Sequence, residues 1–190
     1  MAPPTDEALV QAVLDGDRDA FGDLVERYQA RLVNYLFRLL RDVDEAHDVA
    51  QEVFLKVYQA LDRFDPRFRF STWLFRVGQN AAIDVIRKRR LKLVSLQRSD
   101  EGEEGREWEL PSAERGPYGA LRNVERGTAI ERAIAGLPEE YRELIALRHY
   151  GELSYDDIAS LKDMPLGTVK NKLFRGRQML KEKLAEFLVD

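Results

Sequence analysis

Hydrophobic residues recur at steps of three and four along most of the chain, which is the spacing of one face of an α-helix. The longest such stripe begins near Asp19. Its members are Phe21, Leu24, Val25, Tyr28, Leu32, Leu36, Leu39 and Leu40. No run of alternating apolar residues with hairpin-type turns accompanies it. The pattern therefore predicts an all-α protein.

Capping residues set the predicted ends of the helices in the first half. Thr5, followed by acidic residues, is a typical N-cap, and Gly16 is a typical stop signal. Ser71 is predicted to cap the fourth helix, and Pro66 interrupts the helical pattern before it. The predicted helices cover residues 6–14, a long segment from residue 19, residues 44–61 and residues 72–90.

The composition changes sharply after the fourth helix. Residues 99–109 carry six acids and one arginine, a net charge of −5, and "PSAERGPYG" follows with two prolines and two glycines. This composition predicts a flexible acidic linker. The acidity either solvates the segment or imitates nucleic-acid phosphates. We predict two small helical domains, residues 1–94 and 125–190, joined by a linker of residues 95–124.

The last third of the chain has the pattern of a helix-turn-helix. Ala159 is the small residue of the first helix, "DMPLG" is the turn, and Val169 is the apolar residue of the second helix. Ser154 and Asp157 form the sequence of a capping box. The predicted helices cover residues 155–162 and about 168–188.

The second helix of this pair is strongly basic. Residues 168–183 carry six lysines and arginines against one acid. Such a face suits DNA phosphates and base edges, although a solvated basic helix is the alternative. The residues expected to face outward include Lys170, Asn171, Phe174, Arg175 and Arg177.

A second basic region, "RFRFSTWLFRVGQNAAIDVIRKRR", combines cations with large aromatic residues. Aromatic residues beside arginines suit unstacked bases, with stacking worth about 1–3 kcal/mol per base. The alternative places the aromatics in the core, and it is preferred for Trp73 and Phe75. The candidate nucleic-acid residues are Phe64, Phe68, Phe70, Arg76, Asn80, Asp84 and Arg87.

The third helix carries a different exposed pattern. Asp48, Gln51, Glu52 and Leu55 are spaced to share one face, opposite the apolar stripe. A leucine among acids on an exposed face indicates a protein partner with a basic helix. An isolated exposed leucine is the alternative.

The totals exclude several classes of function. The formal net charge is −4 and the chain has no cysteine, so disulfides and thiolate metal sites are excluded. His47 and His149 lack any partner motif, and we predict no metal and no cofactor. No nucleophile–base set or glycine-rich phosphate loop indicates an enzyme. No apolar run is long enough for a membrane span, and a cytoplasmic protein is expected.

These motifs, in this order, resemble a bacterial extracytoplasmic-function sigma factor. The stretch "DEAHDVAQEVFLKVYQALDRF" resembles region 2.2 of that family, and "FSTWLFRVGQNAAIDVIRKRR" resembles regions 2.3 and 2.4. The stretch from "LPEEYRELIALRHY" to "MLKEKL" resembles region 4. A dimeric transcriptional regulator would explain only the helix-turn-helix.

The resemblance implies a role for each candidate face. The face with Asp48, Gln51, Glu52 and Leu55 would bind the clamp helices of the largest subunit of core RNA polymerase, and the second domain would meet the flap. The residues implied for the minus-ten promoter element are Phe64, Phe68, Phe70, Ser71, Arg76, Asn80, Asp84 and Arg87. Those implied for the minus-thirty-five element are Arg142, Arg148, Thr168, Lys170, Asn171, Phe174 and Arg175.

The resemblance also implies control by an anti-sigma factor. A membrane-bound anti-sigma factor would hold the chain at the inner face of the cytoplasmic membrane. No small-molecule substrate is implied.

Overall fold

The computed structural model describes residues 3–97 and 129–187, and every regular element in these two ranges is helical. The all-α prediction is confirmed. Residues 98–124 of the predicted linker lie outside the described residues. The elements are α1 (Asp6–Leu14), α2 (Asp19–Leu40), α3 (Val43–Gln59), a 3-10 turn (Leu61–Arg63), α4 (Phe70–Gln97), α5 (residues 129–135), α6 (Glu139–His149), α7 (Tyr155–Lys162) and α8 (Leu166–Phe187).

Two predicted caps are present in the structure. The Thr5 hydroxyl accepts a hydrogen bond from the Ala8 backbone amide and caps α1. Ser154 and Asp157 form a reciprocal capping box at the start of α7. Both helices have the predicted bounds.

The fourth helix differs from its prediction at both ends. It begins at Phe70 instead of Thr72, so Ser71 lies in the first turn and is not the N-cap. The side chain of Phe70 is fully buried, with its ring 5.6 Å from that of Tyr28, and this burial extends the helix backwards. At the other end α4 continues past Arg90 to Gln97, because no proline or glycine stops it.

The first helical domain is built around α2, which packs against α1, α3 and α4. The stripe predicted from the sequence supplies its centre, since Leu24, Leu32 and Leu36 are completely buried. A Cβ atom at Gly78 would lie only 2.9 Å from Leu32 Cδ1. Glycine at this position therefore permits the close crossing of α2 and α4.

The second helical domain contains α6, α7 and α8 packed on one another. Its buried side chains include Leu147, Ile158, Val169 and Leu173. In the described part of the chain, none of the helices is both long and apolar enough to cross a membrane.

The two domains pack against each other in this structure. Helix α2 contacts α6, and α4 contacts α7. The buried residues of both domains join in one hydrophobic cluster. The sequence had left this arrangement open.

Candidate nucleic-acid and protein interfaces

An apolar groove of about 530 Å³ lies between α2 and α3. Phe21 of α2 and Tyr58 of α3 meet edge to face across it, with ring centroids 4.9 Å apart. Leu55 is 62% exposed at its edge. A groove of this shape with an exposed leucine suits the apolar side of a partner helix. We call this surface the α2–α3 groove; it is lined mainly by Phe21, Val25, Val33, Ala50, Phe54, Leu55 and Tyr58.

Acidic and amide side chains lie along the α3 side of the groove. Asp48, Gln51 and Glu52 are all exposed, as the sequence predicts. Lys56 lies 2.7 Å from the Glu52 carboxylate, and its hydrogen bond lowers the pKa of Glu52. Glu52 therefore stays ionised near neutral pH, and this surface combines negative charge with an apolar groove.

The aromatic loop before α4 divides into buried and exposed members. Phe64 is half-buried against Trp73, with ring centroids 5.3 Å apart, and Phe70 is fully buried. Phe68 is 51% exposed. Burial leaves the ring of Phe70 without a free face for a base, because its partners in the core already cover it. Ser71 is also buried, so Phe68 is the aromatic of this loop best placed to meet a ligand.

A polar stripe runs along the exposed side of α4. Arg76, Asn80, Asp84 and Arg87 are exposed and follow one another at steps of four, four and three residues. Arg87 lies 3.8 Å from the Asp84 carboxylate. The stripe presents two cations, an amide and one acid on a single face, which we call the α4 stripe.

The helix-turn-helix geometry is present in the second domain. Asp163, in the turn between α7 and α8, adopts the left-handed conformation with φ of 50°. Aspartate tolerates this conformation better than most residues. Val169 and Leu173, on the inner side of α8, are completely buried.

The outer side of α8 is open to solvent. Thr168 is half-buried near its start, while Phe174 is 58% exposed. We call this surface the α8 face; its exposed members are Lys170, Asn171, Phe174 and Arg175.

Arg142 and Arg148, two of the residues implied for the minus-thirty-five element, have partners inside their own domain. Arg142 is half-buried and donates to the Ala135 carbonyl at 3.1 Å. Burial, with the nearby charge of Arg41, lowers its pKa. Arg148 donates to the Leu153 carbonyl at 2.8 Å. Both arginines therefore stabilise the second domain through these hydrogen bonds, in addition to their predicted role in DNA binding.

Gly176 faces the second-domain core and not the α8 face. A Cβ atom there would lie 3.3 Å from Ile145 Cγ1 and 3.5 Å from Tyr141 Cβ. The structure shows close approach of α8 to α6.

The packing at Gly176 predicts the effect of a larger side chain. Gly176→Leu is expected to lower the free energy of unfolding by about 1–3 kcal/mol, because it overpacks the contact of α6 with α8. Urea denaturation followed by circular dichroism measures this. Gly167→Leu is the matched control, since a Cβ atom at Gly167 meets nothing within 4 Å. Equal losses in the two variants would contradict the packing.

The sequence reasoning missed the residues that join the two domains. Arg31 and Arg38 lie seven residues apart on α2, and both reach the second domain. Thr72 of α4 and Asp157 of α7 are hydrogen-bonded at 3.1 Å. Cations on the otherwise apolar side of α2 were the available signal, but nothing in the sequence named their partners.

The two parts of the chain match two protein-family descriptions. Residues 24–92 match Sigma-70 region 2, and residues 127–180 match Sigma-70, region 4. The first match contains the α4 stripe and the α2–α3 groove apart from Phe21. The second contains the helix-turn-helix and the α8 face.

Curated relatives are similar over nearly the whole chain. The ECF RNA polymerase sigma factor SigW of Bacillus subtilis is 36% identical over 179 residues, covering 93% of this chain and 95% of the relative. The RNA polymerase sigma-H factor of Pseudomonas aeruginosa is 36% identical over 189 residues, covering 96% and 95%.

Solved structures share the fold. CnrH, in complex with the cytosolic domain of CnrY, superposes with a TM-score of 0.69 at 24% identity, covering 96% of this chain and 99% of that one. RpoE of Bartonella quintana, in complex with the anti-sigma factor NepR, gives a TM-score of 0.67 at 24% identity, covering 87% and 96%.

Proposed function

The chain belongs to the extracytoplasmic-function RNA polymerase sigma factors, and we propose how its surfaces divide the work of promoter-directed initiation. The α2–α3 groove, with Asp48, Gln51, Glu52 and Leu55, binds core RNA polymerase. The α4 stripe with Phe68 holds the minus-ten element. The α8 face reads the minus-thirty-five element.

Two exposed surfaces lie within the part that matches region 2, and they differ in chemistry. This difference is the observation that supports the proposed division of roles. One is acidic around an apolar groove, which fits a basic amphipathic helix of a protein. The other presents Arg76, Asn80 and Arg87 along α4, a helix that begins two residues after the exposed Phe68. Cations beside an exposed aromatic suit the backbone and bases of a single strand.

The α8 face has the chemistry of duplex recognition. Lysine and arginine contact phosphates or guanine, and asparagine pairs with adenine in the major groove. Buried Val169 and Leu173 hold α8 against the rest of the domain, so these side chains project from a rigid helix. Because Arg142 and Arg148 are partly buried, we expect them to contribute less to DNA binding than the exposed residues of the α8 face.

Reconstituted transcription tests the proposed function. Bacterial core polymerase, this protein and a library of promoter fragments from its host are combined, and the RNA ends are sequenced. We expect new starts only when the protein is added, preceded by a shared sequence. Absence of starts with an active core, together with tight duplex binding by the protein alone, would favour a dimeric regulator.

Control by an anti-sigma factor forms part of the proposal. The α2–α3 groove is open and apolar, and an inhibitor seated there would exclude core polymerase. RpoE of the same fold was solved in complex with such a factor. We expect an anti-sigma factor of this protein to compete with core polymerase for binding, and simultaneous binding of both would argue against the groove as its site.

A further inference from the structure

The carboxylate of Asp6 receives hydrogen bonds from two residues of α2. Asp6 is the first residue of α1; its Oδ1 accepts from the Arg27 guanidinium at 2.5 Å, and its Oδ2 accepts from the Tyr28 hydroxyl. Arg27 also donates to the Pro4 carbonyl at 2.9 Å. Burial raises the pKa of Tyr28, and the hydrogen bond with Asp6 raises it further, so the phenol keeps the proton that it donates. This carboxylate therefore joins the start of α1 to the middle of α2.

The ring of Tyr28 leads from this carboxylate to the loop before α4. Tyr28 is 4% exposed, and its ring centroid lies 5.6 Å from that of Phe70. The ring of Phe70 in turn lies 6.0 Å from that of Phe64 and 6.1 Å from that of Trp73. We call these three residues, Phe64, Phe70 and Trp73, the aromatic clasp. Phe64 precedes and Phe70 follows residues 65–69, so their contact brings the two ends of that loop together.

The loop between the ends of the clasp is ordered by its own hydrogen bonds. The Asp65 carboxylate accepts from the Arg67 backbone amide at 3.0 Å and also from the Arg67 guanidinium. The Asp65 carbonyl accepts from the Phe68 amide at 3.0 Å. Arg67 and Phe68 remain exposed, by 84% for the arginine side chain and 51% for the phenylalanine. A loop that is ordered internally takes its position from its ends, and the aromatic clasp therefore sets where Phe68 lies.

The hydroxyl of Tyr28 adds direction to this packing. Contacts between apolar groups are non-directional, whereas a hydrogen bond to a carboxylate has a preferred distance and angle. The bond with Asp6 therefore fixes the ring on which Phe70 packs. Tyr28 is buried and a carboxylate repels phosphate, so neither Tyr28 nor Asp6 is suited to contact a DNA strand directly. An effect of Asp6 on DNA must pass through the clasp.

We propose that Asp6 is a positioning residue for promoter opening, which acts through Tyr28 and the aromatic clasp to fix the loop that presents Phe68 to the unpaired minus-ten strand. The inference rests on the proposed function for the identity of that strand. Binding groups must be held within about 0.5 Å of their productive geometry. Loss of the hydrogen bond should therefore slow opening. Binding of core polymerase should be unchanged, because neither Asp6 nor Tyr28 lines the α2–α3 groove.

The test compares Tyr28→Phe with the unmodified full-length chain, each bound to core polymerase. Its probe is a promoter recovered by reconstituted transcription, with 2-aminopurine in the minus-ten element, whose fluorescence rises when the bases unpair. The dependence of the opening rate on polymerase concentration separates the maximal rate from the affinity of the closed complex. We expect the maximal rate to fall about 10-fold, as is typical for loss of a hydrogen bond to a charged group, with both affinities unchanged. An unchanged maximal rate overturns the proposal.

Tyr35→Phe is the matched control. Tyr35 lies two turns further along α2 and is completely buried, but its hydroxyl makes no hydrogen bond within the described part of the chain. Removing that hydroxyl should leave the opening rate unchanged. Equal slowing by the two variants would assign the effect to general changes in the core and would overturn the role of Asp6.

A double-mutant cycle tests whether Asp6 acts through Tyr28. Asp6→Ala alone should also slow opening about 10-fold. In a Tyr28→Phe background it should have little further effect, because the two residues share one hydrogen bond. A double variant slowed about 100-fold would show that the two residues act independently, and would overturn the proposed path.

A pre-opened promoter distinguishes slow opening from a folding defect. This template carries mismatched bases across the minus-ten element, so no base pairs have to be broken there. Tyr28→Phe should initiate from it at the rate of the unmodified chain. An equal deficit on paired and pre-opened templates would indicate a loss of folded protein and would count against positioning.

The position of the loop is also measured without DNA. 4-Fluorophenylalanine is incorporated in place of Phe68, and its fluorine resonance reports the surroundings of the ring. Tyr28→Phe should shift or broaden this resonance, and Tyr35→Phe should leave it unchanged. An unaltered resonance in Tyr28→Phe overturns the link between Asp6 and the loop.

Failure of this inference is distinguishable from failure of the proposed function. Unmodified protein that initiates transcription with core polymerase, while Tyr28→Phe opens the promoter at the same rate, overturns the positioning role alone. Unmodified protein that never initiates with an active core overturns the proposed function, and the fluorine resonance still decides whether Tyr28 positions the loop.

Discussion

Asp48→Arg combined with Glu52→Arg is expected to weaken binding to core RNA polymerase by about 100-fold or more, with loss of initiation in reconstituted transcription. Each substitution changes the local charge by two units beside an apolar groove. A basic partner helix then meets like charge where it had met opposite charge. Native gel shift or surface plasmon resonance with core polymerase measures the loss.

The variant should remain folded, because both side chains are exposed on α3 and surface substitutions usually change stability by less than about 0.5 kcal/mol. Asp23→Arg with Glu26→Arg is the matched control, since it reverses two exposed acids three residues apart on α2. It should retain most polymerase binding. Equal losses in the two double variants would mean that overall charge decides the affinity, and would remove the groove from the proposal.

Phe75→Ala is expected to lower the free energy of unfolding by about 3–5 kcal/mol. Phe75 is completely buried, and its ring lies edge to face with that of Tyr35, with centroids 5.4 Å apart. Removing the ring leaves a cavity in the first domain at its contact with Gly151. Domains are typically stable by about 5–15 kcal/mol, so the loss is a large share of the total.

Phe174→Ala is the matched control for Phe75→Ala, because it makes the same substitution at an exposed phenylalanine. Phe174 is 58% exposed on the α8 face, and its truncation should change stability by less than about 0.5 kcal/mol while weakening duplex binding. Urea denaturation followed by circular dichroism measures both variants. A small loss for Phe75→Ala would indicate that the core of the first domain collapses to fill the cavity.

The local features of the fold could be predicted because their causes are local in the sequence. The apolar spacing of α2 and the caps at Thr5 and Ser154 each depend on residues within a few positions. The helix-turn-helix likewise follows from small, turn and apolar residues at fixed offsets. The exposure of Asp48, Glu52 and Leu55 also follows from helical periodicity alone.

What escaped prediction depends on contacts between distant parts of the chain. The start of α4 is set by Phe70, whose ring packs on Tyr28 more than forty positions earlier. The packing of Gly176 could not be predicted because its partner, Ile145, lies on another helix. The docking of the domains rests on pairs such as Thr72 with Asp157, 85 positions apart. Helical periodicity carries no information about such partners.

The capping box of α7 has aspartate where glutamate is usual, and the structure gives this choice a consequence. One oxygen of Asp157, Oδ2, accepts from the Ser154 amide and hydroxyl, while the other, Oδ1, accepts from Thr72 of the first domain. The hydrogen bonds that begin the helix thus use Oδ2, and the hydrogen bond that crosses between the domains uses Oδ1, although the longer ion pair with Arg69, at 3.5 Å, also falls on Oδ2. Parting the domains can release Oδ1 while the helix start remains intact. Helix α7 can therefore separate from the first domain while its own N-terminal capping hydrogen bonds remain in place.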